Sequence, residues 1–191
     1  MEPLSKGNLE LIDTTHDIQL YKINDCTDSF YLNFKICNPH YNLHQAIGFK
    51  LFSLMSELNK DVIESIHQEQ YEETDETMKM GMIFKRFGAE FGISQKYIYS
   101  ITELQKRDNH YIFHSRQIDP PNTYMVPKHC NPVQTSEGKL RISFEDNHTV
   151  HVSYNFSLSL EDHLPIMMRN LPGLLIKKIF IRLKRFLETI R

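Results

Sequence analysis

The residues of this 191-residue chain with the most versatile chemistry are its ten histidines and three cysteines. His40 and His44 stand four positions apart, and His129 directly precedes Cys130. A zinc site needs several such ligands at spacings that bring them together, but the chain has neither an HExxH motif nor a Cys/His cluster of that kind. We therefore predict that these histidines are solvated loop residues and that the protein binds no metal.

Motifs for covalent catalysis or phosphate binding are also missing. The chain contains no GxSxG sequence and no recognisable signature of a cysteine nucleophile. Gly88, Gly92 and Gly138 are isolated, so they do not form a glycine-rich loop that cradles a phosphate. We expect no cofactor and no nucleophilic catalysis, although missing motifs do not exclude an enzyme.

The most suggestive apolar surface is a predicted strand over residues 77–85. Its alternation places four large apolar side chains on one face: Met78, Met80, Met82 and Phe84. Methionine is flexible and polarisable, so this face is suited to line a tunnel for a long apolar ligand. The alternative is ordinary core packing against a helix, because cores also use methionine to fill gaps.

Three polar side chains lie on predicted strands where they could meet the polar end of a ligand. Arg116 shares a strand face with Ile112, and inside an apolar tunnel it would need an anionic or strongly polar partner such as a lipid phosphate. Tyr97 and Tyr99 share a face with Ile101 and could offer hydroxyl groups. The alternatives are a solvent-facing arginine and ordinary amphipathic strand tyrosines.

The elements that must position these residues follow from periodicity. We predict a short helical lead-in within residues 1–12, a helix over 43–58 that Asn42 caps, and a long helix over 172–191. We predict eight strands over residues 18–23, 30–36, 62–72, 77–85, 95–104, 111–118, 139–145 and 149–160. This order predicts an α+β domain spanning residues 1–191, with one antiparallel sheet wrapped around one helix.

The last helix is strongly amphipathic. An apolar stripe runs along one side, made by Leu175, Ile176, Ile179, Phe180, Leu183, Phe186, Leu187 and Ile190. The opposite side carries the cations Lys177, Lys178, Arg182, Lys184, Arg185 and Arg191. Two apolar residues, Leu174 and Ile181, interrupt this basic side seven positions apart. We expect the apolar stripe to pack across the sheet.

Composition narrows the classes of function. The net charge is −2, but residues 171–191 carry +5 and the rest of the chain −7, so a nucleic-acid-binding surface across the whole chain is not expected. Three cysteines without CxxC spacing favour reduced thiols and a cytoplasmic location. The N-terminus does not look like a signal peptide, and no apolar run approaches membrane-spanning length. We expect a monomer.

The order of elements and several local stretches resemble the StAR-related lipid-transfer (START) family within the helix-grip superfamily. Residues 91–119 resemble the central hairpin of that family, and residues 140–191 its final strands and C-terminal helix. Leu164-Pro165 or Leu171-Pro172 takes the place of the dipeptide that precedes the helix. Residues 17–23 are similar to the first strand, whereas Gln95 and Lys96 replace the Arg-Asp that the family often carries.

The resemblance implies a helix-grip fold with an apolar tunnel between a curved sheet and the C-terminal helix. It implies one bound lipid or other apolar molecule, which the protein transfers or senses at membranes without covalent chemistry. The helix residues that would face the ligand are Ile176, Ile179, Phe180 and Leu183. The alternatives are a polyketide-cyclase-like enzyme on the same fold, in which His114, His151 or Glu103 could act as acid or base, and a ligand-gated protein-interaction module.

A lipid carrier must also touch a bilayer. Cations around exposed apolar side chains suit an anionic membrane surface, because the charges attract and the apolar groups insert. We therefore predict a peripheral membrane contact through the basic side of the last helix, made by Leu174, Lys177, Lys178, Ile181, Lys184 and Arg185. The alternative is a solvated basic face, with docking through the loop at residues 120–132.

Overall fold

The computed structural model of the chain describes residues 8–24, 26, 28–69, 76–89, 92–160 and 168–191. Within these ranges it has ten β-strands and two α-helices. The strands are β1 (Leu9–Asp13), β2 (Ile18–Ile23), β3 (Ser29–Cys37), β4 (Ile63–Gln68), β5 (Thr77–Phe84), β6 (Gln95–Arg107), β7 (His110–Gln117), β8 (Cys130–Pro132), β9 (Thr135–Phe144) and β10 (Thr149–Ser159). The helices are α1 (Lys50–Leu58) and α2 (Leu171–Thr189).

Nine of the described strands form one antiparallel sheet in the order β1-β2-β3-β10-β9-β7-β6-β5-β4. The short strand β8 pairs in parallel with the start of β6. The predicted α+β architecture, an antiparallel sheet with a long C-terminal helix, is therefore confirmed. Strict alternation along β10 explains why the sheet has one buried face, because successive side chains point to opposite sides of a strand.

Helix α2 packs on one face of this sheet, which we call the inner face. The Phe180 ring lies 5.7 Å from the ring of Phe34 on β3 and 5.5 Å from the ring of Tyr154 on β10. At the start of the helix, a Cβ on Gly173 would stand 2.6 Å from the Phe30 ring, so glycine allows this close approach. The central residues of the apolar stripe, Ile179, Phe180, Leu183 and Leu187, are thus buried against the sheet, as the periodicity predicts, and the other four stripe residues are partly buried.

Helix α1 covers the part of the inner face that α2 leaves open. Phe52 packs edge-on against Phe113 of β7 at 5.9 Å between ring centroids. The prediction of one continuous helix over 43–58 is wrong. A 3-10 turn at Leu43–Gln45 comes first, and α1 begins only at Lys50. The side chain of Asn42 does accept a hydrogen bond, from the backbone N–H of His44 at 3.0 Å, but it caps the 3-10 turn. Gly48 is a poor helix former and lies where the two segments separate.

Other boundaries differ from the predicted ones. Residues 9–12 belong to the edge strand β1 and not to a helix, because they pair with β2. The predicted hairpin at 95–118 is confirmed, with β6 and β7 extended until only Asp108 and Asn109 connect them. Residues 1–7, the end of the predicted strand 62–72 and the acidic turn after it (70–75), residues 90–91 and the Leu164-Pro165 dipeptide lie outside the described residues.

Candidate functional site

A cavity of about 110 Å³ lies between the inner face of the sheet and the two helices. Most of its wall is apolar, and its roof is formed by side chains of α2 and α1. The lining residues are Phe52, Met55, Ile63, Met80, Met82, Phe84, Ile98, Ser100, Phe113, Ser115, Ser136, Glu137, Leu140, Tyr154, Phe156, Ser157, Leu158, Ile176, Ile179 and Phe180. A second space of about 20 Å³, large enough for one water molecule, lies toward the other end of α2.

The cavity exists because three inward-facing positions on three consecutive strands of the sheet carry serine. Ser100 lies on β6, Ser115 on β7 and Ser136 on β9. A serine side chain is too short to reach the helices, whereas the strands on either side carry methionine, phenylalanine and leucine. The space is therefore encoded by small residues beneath α2, and its floor carries hydroxyl groups.

Tyr154 is the largest polar side chain in the wall. It lies deep among protein atoms, yet part of its surface is open to the cavity. Its ring stacks on Phe156 at 4.8 Å. Among the residues that the structure describes, none makes a hydrogen bond with its hydroxyl. Burial raises the pKa of Tyr154 to about 12, because the phenolate would lose its hydration, so the hydroxyl is protonated at neutral pH and can donate.

The serine hydroxyls differ in their engagement. Ser115 Oγ lies 2.8 Å from Thr102 Oγ1, so these two groups satisfy each other. Ser100 and Ser136 make no side-chain hydrogen bond with any described residue. The lining includes one acidic residue, Glu137, which is exposed, and no basic residue from the described part of the chain. The cavity interior is thus neutral, apolar on most sides and weakly polar along its floor.

Six of the residues predicted to meet a ligand line this cavity: Met80, Met82, Phe84, Ile176, Ile179 and Phe180. Leu183 borders the smaller space instead. Met78 is 2% exposed and packs in the core, where Gln68 Nε2 approaches its sulfur at 3.7 Å. Met80 and Met82 therefore border the cavity, whereas Met78 follows the core-packing alternative.

The placement of Tyr97, Tyr99 and Arg116 on the cavity wall is wrong, because these residues occupy the opposite, outer face of the sheet. Ile98 and Ser100 face inward on β6, so the tyrosines between and beside them must face outward. Tyr99 donates a hydrogen bond to Glu69 Oε1 at 2.7 Å, and burial together with this bond raises the pKa of Tyr99 to about 12. Arg116 is exposed, as its solvent-facing alternative predicts.

Sequence reasoning missed Tyr154 and the three serines. The signal for Tyr154 was available, since it is the single residue with a polar group among the large apolar residues on its face of β10. The serines carried no such signal, because their convergence depends on the register between β6, β7 and β9.

The basic side of α2 is not a free cationic surface. Lys177 is 1% exposed, and its Nζ lies 2.5 Å from Asp13 Oδ2 on β1. Lys184 is also buried and pairs with Glu188 one turn later. The expected exposure of both lysines is therefore wrong. The physical reason is that the protein covers α2 beyond the edges of its apolar stripe. The aliphatic parts of Lys177 and Lys184 are therefore buried, while their ammonium groups reach acidic partners.

The outward side of α2 is narrower than expected. Its exposed residues include Leu174, Lys178 and Arg185, with Ile181 half-buried between them. Lys178 lies 2.9 Å from Asp61 Oδ2, in the turn after α1. Arg182 donates hydrogen bonds to the same carboxylate from two nitrogens. Arg182 and Lys178 together hold the pKa of Asp61 well below its usual range. Asp61 thus connects α2 to the end of α1.

Two further features bear on function. In the described ranges, no helix combines the length and apolar character needed to cross a bilayer. The same residues contain no group of three histidine, cysteine or acidic side chains arranged to hold a metal ion.

Comparisons with solved structures identify the fold, whereas comparisons of the sequence do not. A scan against protein-family models and a search of curated proteins found no match to this sequence. Solved structures match well: human STARD10 has a TM-score of 0.74 at 9% identity, covering 96% of this chain and 74% of that chain. A STAR-related lipid transfer protein from Xanthomonas axonopodis has a TM-score of 0.70 at 11% identity, covering 94% and 98%. The Zhui aromatase/cyclase from Streptomyces has a TM-score of 0.51 at 9% identity, covering 83% and 90%. The chain therefore has a START-like helix-grip fold.

Proposed function

We propose that this protein binds a lipid or other apolar molecule in the cavity beneath α2 and transfers or senses it. The observation that carries the proposal is the cavity itself, an apolar space of about 110 Å³ under a helix that could open as a lid. Densely packed cores rarely leave a space of this size, since each missing contact costs stability. Several structural neighbours are lipid transfer proteins or domains by name, which supports a ligand-binding role for the fold.

The volume of the cavity limits the size of the ligand that it can hold without rearrangement. Sites for drug-sized molecules are usually about 300–1,000 Å³, whereas an engineered cavity of about 150 Å³ binds benzene. A molecule of about one ring therefore fits the space as it stands. A longer lipid requires repacking, and Met55, Met80 and Met82 in the wall are the side chains best able to yield.

A cyclase-type enzyme on the same fold is the second candidate, and the aromatase/cyclase neighbour motivates it. General acid–base catalysis needs groups that titrate near the working pH. Among the described lining residues, Tyr154 is the ionisable group inside the cavity, and its pKa of about 12 is far from neutral. Glu137 is exposed, and because it follows the inward-facing Ser136 on β9, its side chain lies on the outer face of the sheet. These features favour binding over acid–base chemistry.

The test is to identify what the protein carries. The purified protein would be examined by native mass spectrometry and then extracted with organic solvent, with Met80→Trp as the control because tryptophan would fill the cavity. We expect a co-purifying apolar compound in the parent and little in Met80→Trp. A parent protein that carries nothing and takes up nothing from vesicles would contradict the proposal.

We further propose that the protein meets anionic membranes through the outer stripe of α2, defined as Leu174, Lys178, Ile181 and Arg185. These positions follow one another at intervals of four, three and four, so they form one line along the helix. Leu174 is 40% exposed, one of three large apolar side chains in the described part of the chain that are this accessible. An exposed apolar residue next to cations suits an anionic interface.

A further inference from the structure

We propose that the cavity selects a small neutral molecule with a hydrogen-bond acceptor, such as a carbonyl or ether oxygen, and that the hydroxyl of Tyr154 donates to it. This inference rests on the proposed function, because it requires that the cavity binds a ligand. It assigns Tyr154 as the residue that orients the ligand and determines its chemical class.

The first observation is that the Tyr154 hydroxyl lacks a partner among the described residues. Its surroundings are the aromatic rings of Phe156 and Phe180 and the backbone of Gly138, and none of these makes a hydrogen bond with it. Leaving a buried donor unpaired is costly, so buried polar groups in folded proteins nearly always have a partner. The open surface of Tyr154 faces the cavity, so a ligand there can supply that partner.

The second observation is the direction of the hydrogen bond. The Tyr154 hydroxyl is protonated at neutral pH, as a tyrosine ordinarily is, and burial raises its pKa further, to about 12. It therefore presents a proton to the cavity, and because a phenol hydroxyl is a better donor than acceptor, the ligand group that complements it best is an acceptor. A pure hydrocarbon would leave the hydroxyl unpaired.

The third observation is the absence of a counter-charge. No lysine, arginine or histidine occurs among the cavity-lining residues that the structure describes, and the one acidic residue there is exposed. An ionised phosphate or carboxylate in this space would lose its hydration without a cation to compensate, which costs far more than one hydrogen bond returns. A buried ammonium group would be equally uncompensated. The ligand portion inside the cavity is therefore neutral.

The experiment uses three small probes of similar shape. Acetophenone has a carbonyl where ethylbenzene has a methylene, and phenylacetate carries a carboxylate. Calorimetric titration of each probe into the parent protein and into Tyr154→Phe at pH 7 gives six affinities. Tyr31→Phe is the matched control, because Tyr31 lies on the neighbouring strand β3 but pairs with Asn155 on the outer face.

We expect Tyr154→Phe to weaken acetophenone binding about 3- to 10-fold, the effect of one net hydrogen bond, and to leave ethylbenzene binding unchanged. Phenylacetate should bind the parent at least about 10-fold more weakly than acetophenone does. Tyr31→Phe should change none of the affinities. Equal effects of Tyr154→Phe on acetophenone and ethylbenzene, or tight phenylacetate binding, would overturn the inference while the proposed function stands. If none of the probes binds while the purified protein carries an apolar compound, the inference fails and the proposed function stands; if the protein also carries nothing and takes up nothing from vesicles, both fail.

A second measurement does not depend on a variant. The carbonyl stretching frequency of acetophenone bound to the parent protein should fall relative to acetophenone in a hydrocarbon solvent, because a donated hydrogen bond weakens the C=O bond. An unshifted frequency would overturn the role of Tyr154 even if Tyr154→Phe did not fold.

Discussion

The hydroxyl of Tyr154 lies directly over the backbone of Gly138 on the neighbouring strand. A Cβ at residue 138 would stand 2.6 Å from the hydroxyl oxygen and 2.7 Å from Cε2 of the ring, closer than real side chains approach. Only glycine at position 138 leaves enough space for the Tyr154 side chain. The position of the Tyr154 hydroxyl in the cavity wall therefore depends on the missing Cβ of Gly138 on β9.

Gly138→Ala should push the Tyr154 ring toward the cavity. We expect a loss of about 1–3 kcal/mol in the free energy of unfolding, typical of overpacking, together with weaker ligand binding. Urea denaturation and probe titration measure the two effects. Gly48→Ala is the matched control, since a Cβ at residue 48 would meet nothing within 4 Å. Equal behaviour of the two variants would contradict the close contact.

Met80→Trp should fill the cavity from the β5 side. Because Met80 borders the space and is 7% exposed, the larger ring should displace ligand at a cost of about 1–3 kcal/mol in stability. Met125→Trp is the control, because Met125 is 86% exposed and should affect neither property. Normal ligand loading by a folded Met80→Trp protein would show that the ligand occupies another site.

The carboxylate of Asp61 should make stability depend on pH in the acidic range. Its pKa is lower in the folded protein than the value of about 3.9 for unfolded chains, because Arg182 and Lys178 bind the ionised form. The contribution is therefore present above about pH 4 and is lost as the pH falls below that value. Since the side chain is 48% exposed, we expect Asp61→Asn to cost only about 0.5–1 kcal/mol at pH 7.

The measurement is urea denaturation of the parent and of Asp61→Asn between pH 2 and pH 7. The difference between them should shrink below pH 4 and also at high salt, which screens half-exposed charges. Glu57→Gln is the control, because the exposed Glu57–Lys60 pair (69% and 73% exposed) should contribute almost nothing. A difference that stays constant with pH would mean that Asp61 does not act through its charge.

Membrane contact through the outer stripe of α2 should respond to both charge and apolar surface. We expect Leu174→Asp with Arg185→Glu to reduce flotation with phosphatidylserine-containing vesicles roughly 5- to 10-fold, since each cation near an anionic surface contributes about 1 kcal/mol. Vesicles without phosphatidylserine should bind weakly throughout. Met125→Asp tests the loop alternative: if it abolishes flotation while the helix variant floats normally, the protein docks through the loop.

Local periodicity was enough to predict eight of the ten described strands and the apolar stripe of α2, but not the short strands β1 and β8. The alternation along β10 and the spacing of Ile179, Phe180, Leu183 and Leu187 reflect which side of each element is buried, and the four helix residues are buried as predicted. Such patterns are local, because a strand or helix repeats over a few residues. The order of these elements predicted an α+β domain with one antiparallel sheet around one helix, and the resemblance to the START family implied the helix-grip arrangement.

Only the tertiary structure decided where the cavity lies and which charges are free. From the sequence, Lys177 is expected to face solvent, but in the structure Asp13 on β1 lies beside it. Tyr97 and Ile98 are neighbours on β6 and point to opposite faces of the sheet, and only the position of α2 shows that Ile98 is on the inner face. The three serines of the floor are scattered along the chain and meet only because β6, β7 and β9 align. Cavities and ion pairs depend on contacts between distant segments, and a one-dimensional pattern does not contain those contacts.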